Sequence, residues 1–457
     1  MEIKKVIASC VAVFMIVAYL SACTESEEGV MLPTDEEGNA IQIHYLEQLP
    51  ETDKLVLYRH QFISWALDPA VKIFEEMYPD VEVEVHDFES DWYAYEALLS
   101  AELPAGRGPD LLLMGCEDFP DIHKVMDIGV FCDLNDFIGS DPGFGLDDYN
   151  KVVMDSGVYK GKRYLAPINY LSHILLTSEE ALAAAGMSVE SFKTFDGYAS
   201  EIRRYLEEYA STKAVYWHGG NLGWTMFFPW SGLRIMDYEN KKANVDGEDF
   251  KKVIDAYKDI FVQDSTGSYS PSHLADALKN GEMLLFNPAQ PLPFTTYYGE
   301  VAVDSSPVYF PFPAVNGKTT AQVRTSASIL ANSPNKANAY AFLKILLSEK
   351  IQFEDANSFF RNWFYMPVLN TVFDAMVSAI VEFTEGWTWN GVLIPVSADI
   401  VRDYIDMYAN VDDCQMYVRG VIWEVFETYM MPYFKDEDTY ENCLNRTRNF
   451  LELYIGE

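Results

Sequence analysis

The sequence predicts an α/β protein that opens as a parallel sheet flanked by helices and is long enough for two lobes. Three observations carry this reading. First, "KLVLY" (Lys54 to Tyr58) reads as a strand, "DPAVKIFEEMYPD" (Asp68 to Asp80) as an amphipathic helix and "VEVEVHDF" as an alternating strand, the order that opens a parallel sheet. Second, "GPDLLLMG" (Gly108 to Gly115) is apolar along its centre, as a strand covered on both faces should be. Third, 457 residues with 49% hydrophobic content favour two cores over one.

At the N-terminus, Lys4 and Lys5 precede an apolar run from Val6 to Leu20 and the small residues Ser21 and Ala22. This is the layout of a secretory signal, shorter than the ~20 apolar residues of a comfortable membrane span. Leu20-Ser21-Ala22-Cys23 resembles the lipobox of bacterial lipoproteins, in which the cysteine is lipidated and becomes the new N-terminus. Residues 1–22 are therefore expected to be a signal peptide and Cys23 a lipid anchor. The stretch "TESEEGVMLPTDEEGN" that follows is acidic and poor in large apolar residues, so residues 23–51 are expected to form an acidic tether.

The chain carries 70 acidic and 33 basic residues, a formal net charge of −37. Such a body repels nucleic acid and anionic lipid headgroups, so no nucleic acid is expected as a partner and the membrane only through the anchor. Of six cysteines, Cys10 lies in the signal segment and Cys23 is the lipid site. The pairs Cys116/Cys132 and Cys414/Cys443 are the natural disulfides of an extracytoplasmic protein, with buried free thiols the alternative.

In the predicted helix from 68 to 80, Asp68 is a plausible N-cap and Pro69 fits the first helical position. Val71, Phe74 and Met77 recur at helical spacing and Pro79 closes the helix. "DWYAYEALLSAELPAG" predicts a second helix, before the strand at 108–115. Ligands of parallel sheets sit outside the carboxyl ends of the strands, which places Arg59 to Trp65 and Gly115 to Phe119 at a cleft.

"AVKIFEEMYPDVEVEV", "AGRGPDLLLMG", "GVFCDLNDFI", "YKGKRYLAPINYLSHILLTSEEALAAAGM", "LKNGEMLLFNP", "YFPFPAVNG" and "ILANSPNKANAYAFLKILLSEKIQ" occur in order. Together they resemble the family 1 extracellular solute-binding proteins of ABC importers, the group containing maltose- and oligosaccharide-binding lipoproteins. The resemblance spans roughly Leu55 to Leu369, and "TYENCLNRTRNFLELYIGE" is similar to the family's terminal helix. It implies a two-lobed, type II periplasmic-binding-protein-like fold whose lobes are joined by three crossovers, near Leu165 to Asn169, Tyr309 to Pro313 and Phe359 to Met366. Lobe 1 would then comprise 52–166 and 309–357, and lobe 2 would comprise 167–308 and 358–457.

Catalytic patterns are weak. Ser333-Pro334-Asn335-Lys336 fits the S-x-x-K order of serine acyl-enzymes, but it also fits a helix start with Ser333 as N-cap. The helix start is the expected role. The seven histidines are scattered without the i, i+3 or i+4 pairing of metal ligands on one helical face, so no metal and no cofactor is expected. The chain is expected not to be an enzyme.

A sugar presents C–H faces to aromatic rings and hydroxyls to polar side chains, so both must cluster where it binds. "WHGGNLGWTMFFPWSG" (Trp217 to Gly232) supplies three tryptophans, Asn221 and four glycines. Trp224 and Trp230 are the stacking candidates, with a place in the core as the alternative for each. Asn169 and Tyr170 follow the first crossover, His60, Gln61 and Trp65 the first strand, and Glu117 the third. In "GEMLLFNPAQPLPF" the maltose-binding type would have a tryptophan where this chain has Pro291, which argues against a maltodextrin. Asn287 and Gln290 nearby are hydroxyl-bonding candidates, and Trp363 in the third crossover could supply a ring. A phosphorylated sugar would want basic residues, for which Arg59, Arg234 and Arg324 are available.

The expected function is a membrane-anchored solute-binding lipoprotein on the extracytoplasmic face of a bacterial membrane. It would capture a neutral sugar or oligosaccharide by lobe closure and deliver it, as a monomer, to ABC permease subunits. The alternative is a surface glycan-docking or sensory lipoprotein without a transport role.

Overall fold

The computed structural model describes residues 45–59, 64–88, 92–115, 122–209, 212–216, 223–265, 274–286, 294–353, 365–416 and 419–456. Strand β1 (Lys54–Arg59), helix α1 (Ser64–Met77), β2 (Glu82–Asp87), α2 (Trp92–Glu102) and β3 (Leu111–Gly115) follow one another as the sequence predicts. β1 lies between β2 and β3 and is parallel to both. Leu111 to Met114 are buried, which is why β3 tolerates no polar residue at its centre.

The remaining strands are β4 (Ala166–Ser172), β5 (Ile174–Ser178), β6 (Ala214–Tyr216), β7 (Met283–Leu285), β8 (Pro307–Pro311), β9 (Thr320–Ile329), β10 (Met366–Pro367) and β11 (Asp413–Gln415), with shorter hairpins elsewhere. The large sheet runs β10-β4-β9-β3-β1-β2, and β11 pairs with β9. β9 is antiparallel to β3 and β4, so the sheet is mixed.

A second sheet is built from β8 antiparallel to β5 and β6 parallel to β7, joined by a bridge between Leu176 and Phe286. β4 and β5 are separated only by His173, so the chain passes from one sheet to the other there. The return strand β8 ends at Pro311, and Phe312 donates its backbone N–H to the His173 carbonyl at 2.7 Å.

Two helix starts differ from the local prediction. α1 begins at Ser64, four residues before Asp68, and contains Pro69; the Asp68 carboxylate, inside the helix, accepts from Arg59 Nη1 at 2.9 Å. Helix α6 (Lys336–Leu346) begins three residues after Ser333. The Ser333 hydroxyl donates to Asp110 Oδ1 at 2.6 Å and accepts the Asn335 N–H at 2.9 Å, a turn that precedes the helix. Of the two readings of the cysteines the thiol one holds: Cys132, Cys414 and Cys443 are buried and outside any disulfide, while Cys116 lies outside the described residues. Burial pushes the Cys132 thiol up to about 11.

Aromatic side chains fill the main core. Helix α4 (Trp224–Trp230) sets Phe227 and Phe228 into a cluster with Tyr257 of α5 (Glu248–Ser265), Phe312 and Phe426. Among the described residues no helix is long and apolar enough to cross a membrane.

Candidate functional site

The carboxyl ends of β1 and β3 lie at Arg59 and Gly115. β9 runs past them: its Thr325 pairs with Gly115, so Arg324 lies just beyond the end of β3. The pairing of β9 with β4 shifts register on either side of Thr325, and Arg324 is skipped in the ladder. Such a bulge turns a side chain away from its strand's alternation. The consequence is visible in burial, because every residue of β9 is buried except Arg324.

The Arg324 guanidinium lies over the Tyr365 ring, 5.3 Å from its centroid, and Nη2 donates to the Tyr365 hydroxyl at 3.4 Å. Tyr365 immediately precedes β10, which pairs with Asn169 and Tyr170 of β4. His173 stands at the passage from one sheet to the other. Burial holds its imidazole well below the ordinary value, and the Arg324 charge pushes it further the same way, so His173 is neutral. Its Nε2 is buried and has no hydrogen-bond partner among the described residues. The His173 ring packs on Trp230 at 4.4 Å, and Trp230 packs edge-on to Phe312 at 5.7 Å. Arg324, His173 and Tyr365 thus come from three separate passes of the chain.

The candidates read from the sequence fall into two groups. Asn169 and Tyr170 are wholly buried: Asn169 Oδ1 accepts the Thr325 N–H at 3.1 Å, and the Tyr170 hydroxyl accepts from Asn150 Nδ2 at 3.3 Å. Trp224 is 5% exposed, donates its indole N–H to Glu427 Oε1 at 2.6 Å and stacks on Phe426. Trp230 is 3% exposed in the cluster just described. The structure therefore gives all four internal partners, and it brings Trp230 but not Trp224 to His173. Cys23, His60, Gln61, Glu117, Asn221, Asn287, Gln290 and Trp363 lie outside the described residues, as does the side chain of Trp65.

Of the three arginines considered from sequence, Arg59 is paired with Asp68 and Asp87 at 2.9 and 3.0 Å, and Arg234 is paired with Asp413 at 2.5 Å. His173 and Tyr365 were missed. Their signal is positional, since it depends on which side of a crossing each side chain emerges.

A separate cavity of about 610 Å³ lies between the segment Asp155 to Tyr159 and the segment Leu233 to Glu239, with Asp413 to Met416 also lining it. None of the strand-end residues Arg59, Gly115 or Arg324 lines it. At its edge His123 stacks on Tyr238 at 3.6 Å and meets Tyr159 edge-on at 5.3 Å. Burial lowers the His123 imidazole to about 4, against the opposing pull of Asp127. Among the described residues no group of three or more His, Cys, Asp or Glu is placed to hold a metal ion.

Residues 61–353 match the family model of the bacterial extracellular solute-binding proteins. No curated protein matches the sequence. Several solved structures share the fold. The sugar-binding protein MalE from Xanthomonas citri superposes with a TM-score of 0.62 at 14% identity, covering 88% of this chain and 97% of its own. The ABC substrate-binding protein Lmo0181 from Listeria monocytogenes, in complex with cycloalternan, gives 0.58 at 14% identity, covering 89% and 100%. The cyclic alpha-maltosyl-1,6-maltose binding protein from Arthrobacter globiformis gives 0.58 at 16%, covering 88% and 98%. At these identities the likeness is one of fold.

Proposed function

Since the chain belongs to the bacterial extracellular solute-binding proteins, two-lobed ligand carriers of ABC transport systems, we propose that it captures a sugar or oligosaccharide between its lobes and delivers it to a membrane permease. The observation that carries this reading is the junction at His173 and Phe312. Two passes of the chain between the sheets are bonded to each other there. A narrow junction between two sheets suits hinge closure, and a ligand drives closure only if it touches both lobes.

The sugar class is supported by what the structural relatives bind by name, cycloalternan and a cyclic maltosyl-maltose among them. In this reading no bond is made or broken. Ser333, the strongest nucleophile pattern in the sequence, is 7% exposed, and its hydroxyl is spent on Asp110, which supports a structural role. Cys23 would tie the mature protein to the extracytoplasmic face of the membrane, residues 23–51 would act as a leash, and the body would work as a monomer beside its permease.

Thermal denaturation against mono-, di- and oligosaccharides tests the proposal, because a ligand at 100 times its Kd stabilises by about 2.7 kcal/mol. At least one oligosaccharide should raise the melting temperature by several degrees. If no sugar raises it, the reading is wrong.

A further inference from the structure

β3 and β11 share one edge of β9, because β4 covers the other edge from Ala321 to Ala327. They run toward each other along it: β3 ends at Gly115 opposite Thr325, and β11 ends at Gln415 opposite Gln322. The chain therefore leaves both carboxyl ends at one gap in that edge, the place where ligands of such sheets sit. The helix Arg419–Trp423 starts four residues beyond Gln415, and α4 starts at Trp224 after the chain has left the carboxyl end of β6. The two helices meet through Trp423 and Trp224, whose rings lie edge to face at 5.5 Å.

We propose that Trp423 and Glu427 form a site for an ammonium group carried by the bound sugar, which makes the substrate an amino-sugar oligosaccharide. The inference rests on the sugar-binding reading above and narrows its substrate class.

Trp423 is 49% exposed, whereas Trp224 is 5% exposed. Trp423 is thus the ring that can still cover a ligand, and Trp224 is packed behind it. Past Trp423 the helix continues as a π-helix, Glu424–Met430. A π-helix bonds residues five apart, so its wide turn brings the residue four places on close above the first, and such turns recur at functional sites. Here that residue is Glu427, whose Oε1 accepts the Trp224 indole N–H at 2.6 Å. Trp423 and Glu427 therefore converge on the same indole from one helix.

The charge decides the ligand chemistry. Glu427 is half-buried and has no ion-pair partner among the described residues. One indole N–H does not neutralise a carboxylate, and closing the lobes over it takes it further out of water. A sugar hydroxyl would give this carboxylate a hydrogen bond without a countercharge. An ammonium gives both, and the open indole of Trp423 adds cation–π attraction. Arg324 lies on β9 between the two strand ends, but its guanidinium is over the ring of Tyr365, which leads into β10 on the far side of β4. The net charge of −37 adds a long-range field that favours a cation.

Titration calorimetry on the full mature chain at mildly acidic pH tests the site, with glucosamine oligomers, their N-acetylated counterparts, neutral gluco-oligosaccharides and spermidine as probes. Wild type should bind a glucosamine oligomer about tenfold tighter than the N-acetylated oligomer of the same length, which keeps the rings and loses the charge. Glu427→Gln, which can still accept the indole N–H, should abolish that preference. Trp423→Leu should weaken the glucosamine oligomer severalfold, and Trp423→Phe, which keeps a ring, should recover part of the loss. The comparison of the two oligomers on wild type decides the matter even where a variant does not fold. N-acetylated or neutral oligomers bound as tightly as glucosamine oligomers would overturn this site and leave the sugar reading standing. A preference undiminished in Glu427→Gln would overturn the assignment to Glu427. Spermidine binding that Glu427→Gln abolishes, with every sugar silent, would uphold the ammonium site and overturn the sugar reading. Failure of every probe would overturn both proposals.

Discussion

Phe312 donates its backbone N–H to the carbonyl oxygen of His173 at 2.7 Å, joining two passes of the chain between the sheets. Phe312 sits between Pro311 and Pro313, so it holds the only N–H of the three residues, and that donor is used at the crossing. Its ring packs on Tyr198, Phe227 and Trp230. Phe312→Ala should cost about 3–5 kcal/mol in denaturant unfolding, as for other large buried aromatics. A cost below about 1 kcal/mol would show that the junction is not anchored by this ring.

Gln352 ties the first pass to the third. It is wholly buried, its Nε2 donates to the Ile168 and Leu346 carbonyls at 3.0 and 3.1 Å, and its Oε1 accepts from the Val368 and Leu369 N–H groups at 2.9 and 3.4 Å. Gln352→Leu keeps similar bulk but strands these backbone groups, so it should destabilise by roughly 2–4 kcal/mol. Calorimetric melting checks this, and an unchanged melting temperature would contradict it.

Trp224→Ala and Trp230→Ala should each lower the stability of the ligand-free protein by about 3–5 kcal/mol, because both rings are core members in this structure. For Trp224 the loss also leaves the Glu427 carboxylate without its indole donor. If either variant unfolds at the wild-type denaturant midpoint, that ring faces solvent and regains its standing as a stacking wall.

The two lowered histidines give a pH dependence of definite sign. Both are held neutral in the fold by burial, His123 with a value of about 4 and His173 well below its ordinary 6.5. The unfolded chain takes up those protons first, so the histidine contribution is complete above about 6.5 and is lost as pH falls from there toward 4. At about pH 5 the His123 contribution should have fallen by roughly 2 kcal/mol relative to neutral pH. Comparing wild type with His123→Phe isolates one of them: the variant should lose less stability than wild type between neutral pH and about pH 5. Parallel pH profiles would contradict the burial of His123.

What was legible in the sequence was whatever depends on neighbours along the chain. β1, β2 and β3 declare themselves by alternation or by an unbroken apolar run, and the family by the order of its segments. Neither predicted cap stands at the start of its helix, and each side chain is used elsewhere. Asp68 pairs with Arg59 across a turn of chain, and Ser333 with Asp110. The tryptophans of the 217–232 stretch could not be assigned to cleft or core for the same reason. What packs on them, Phe426, Glu427 and His173, is remote in sequence. That Arg324 is half-buried where the rest of β9 is buried depends on the register between β4 and β9, which no local pattern encodes.

Small-angle X-ray scattering tests the central claim most directly. On addition of the sugar that raises the melting temperature, the radius of gyration should fall as the lobes turn about the His173–Phe312 junction and close. A radius unchanged at saturating sugar, with binding confirmed in the same sample, would contradict capture by closure.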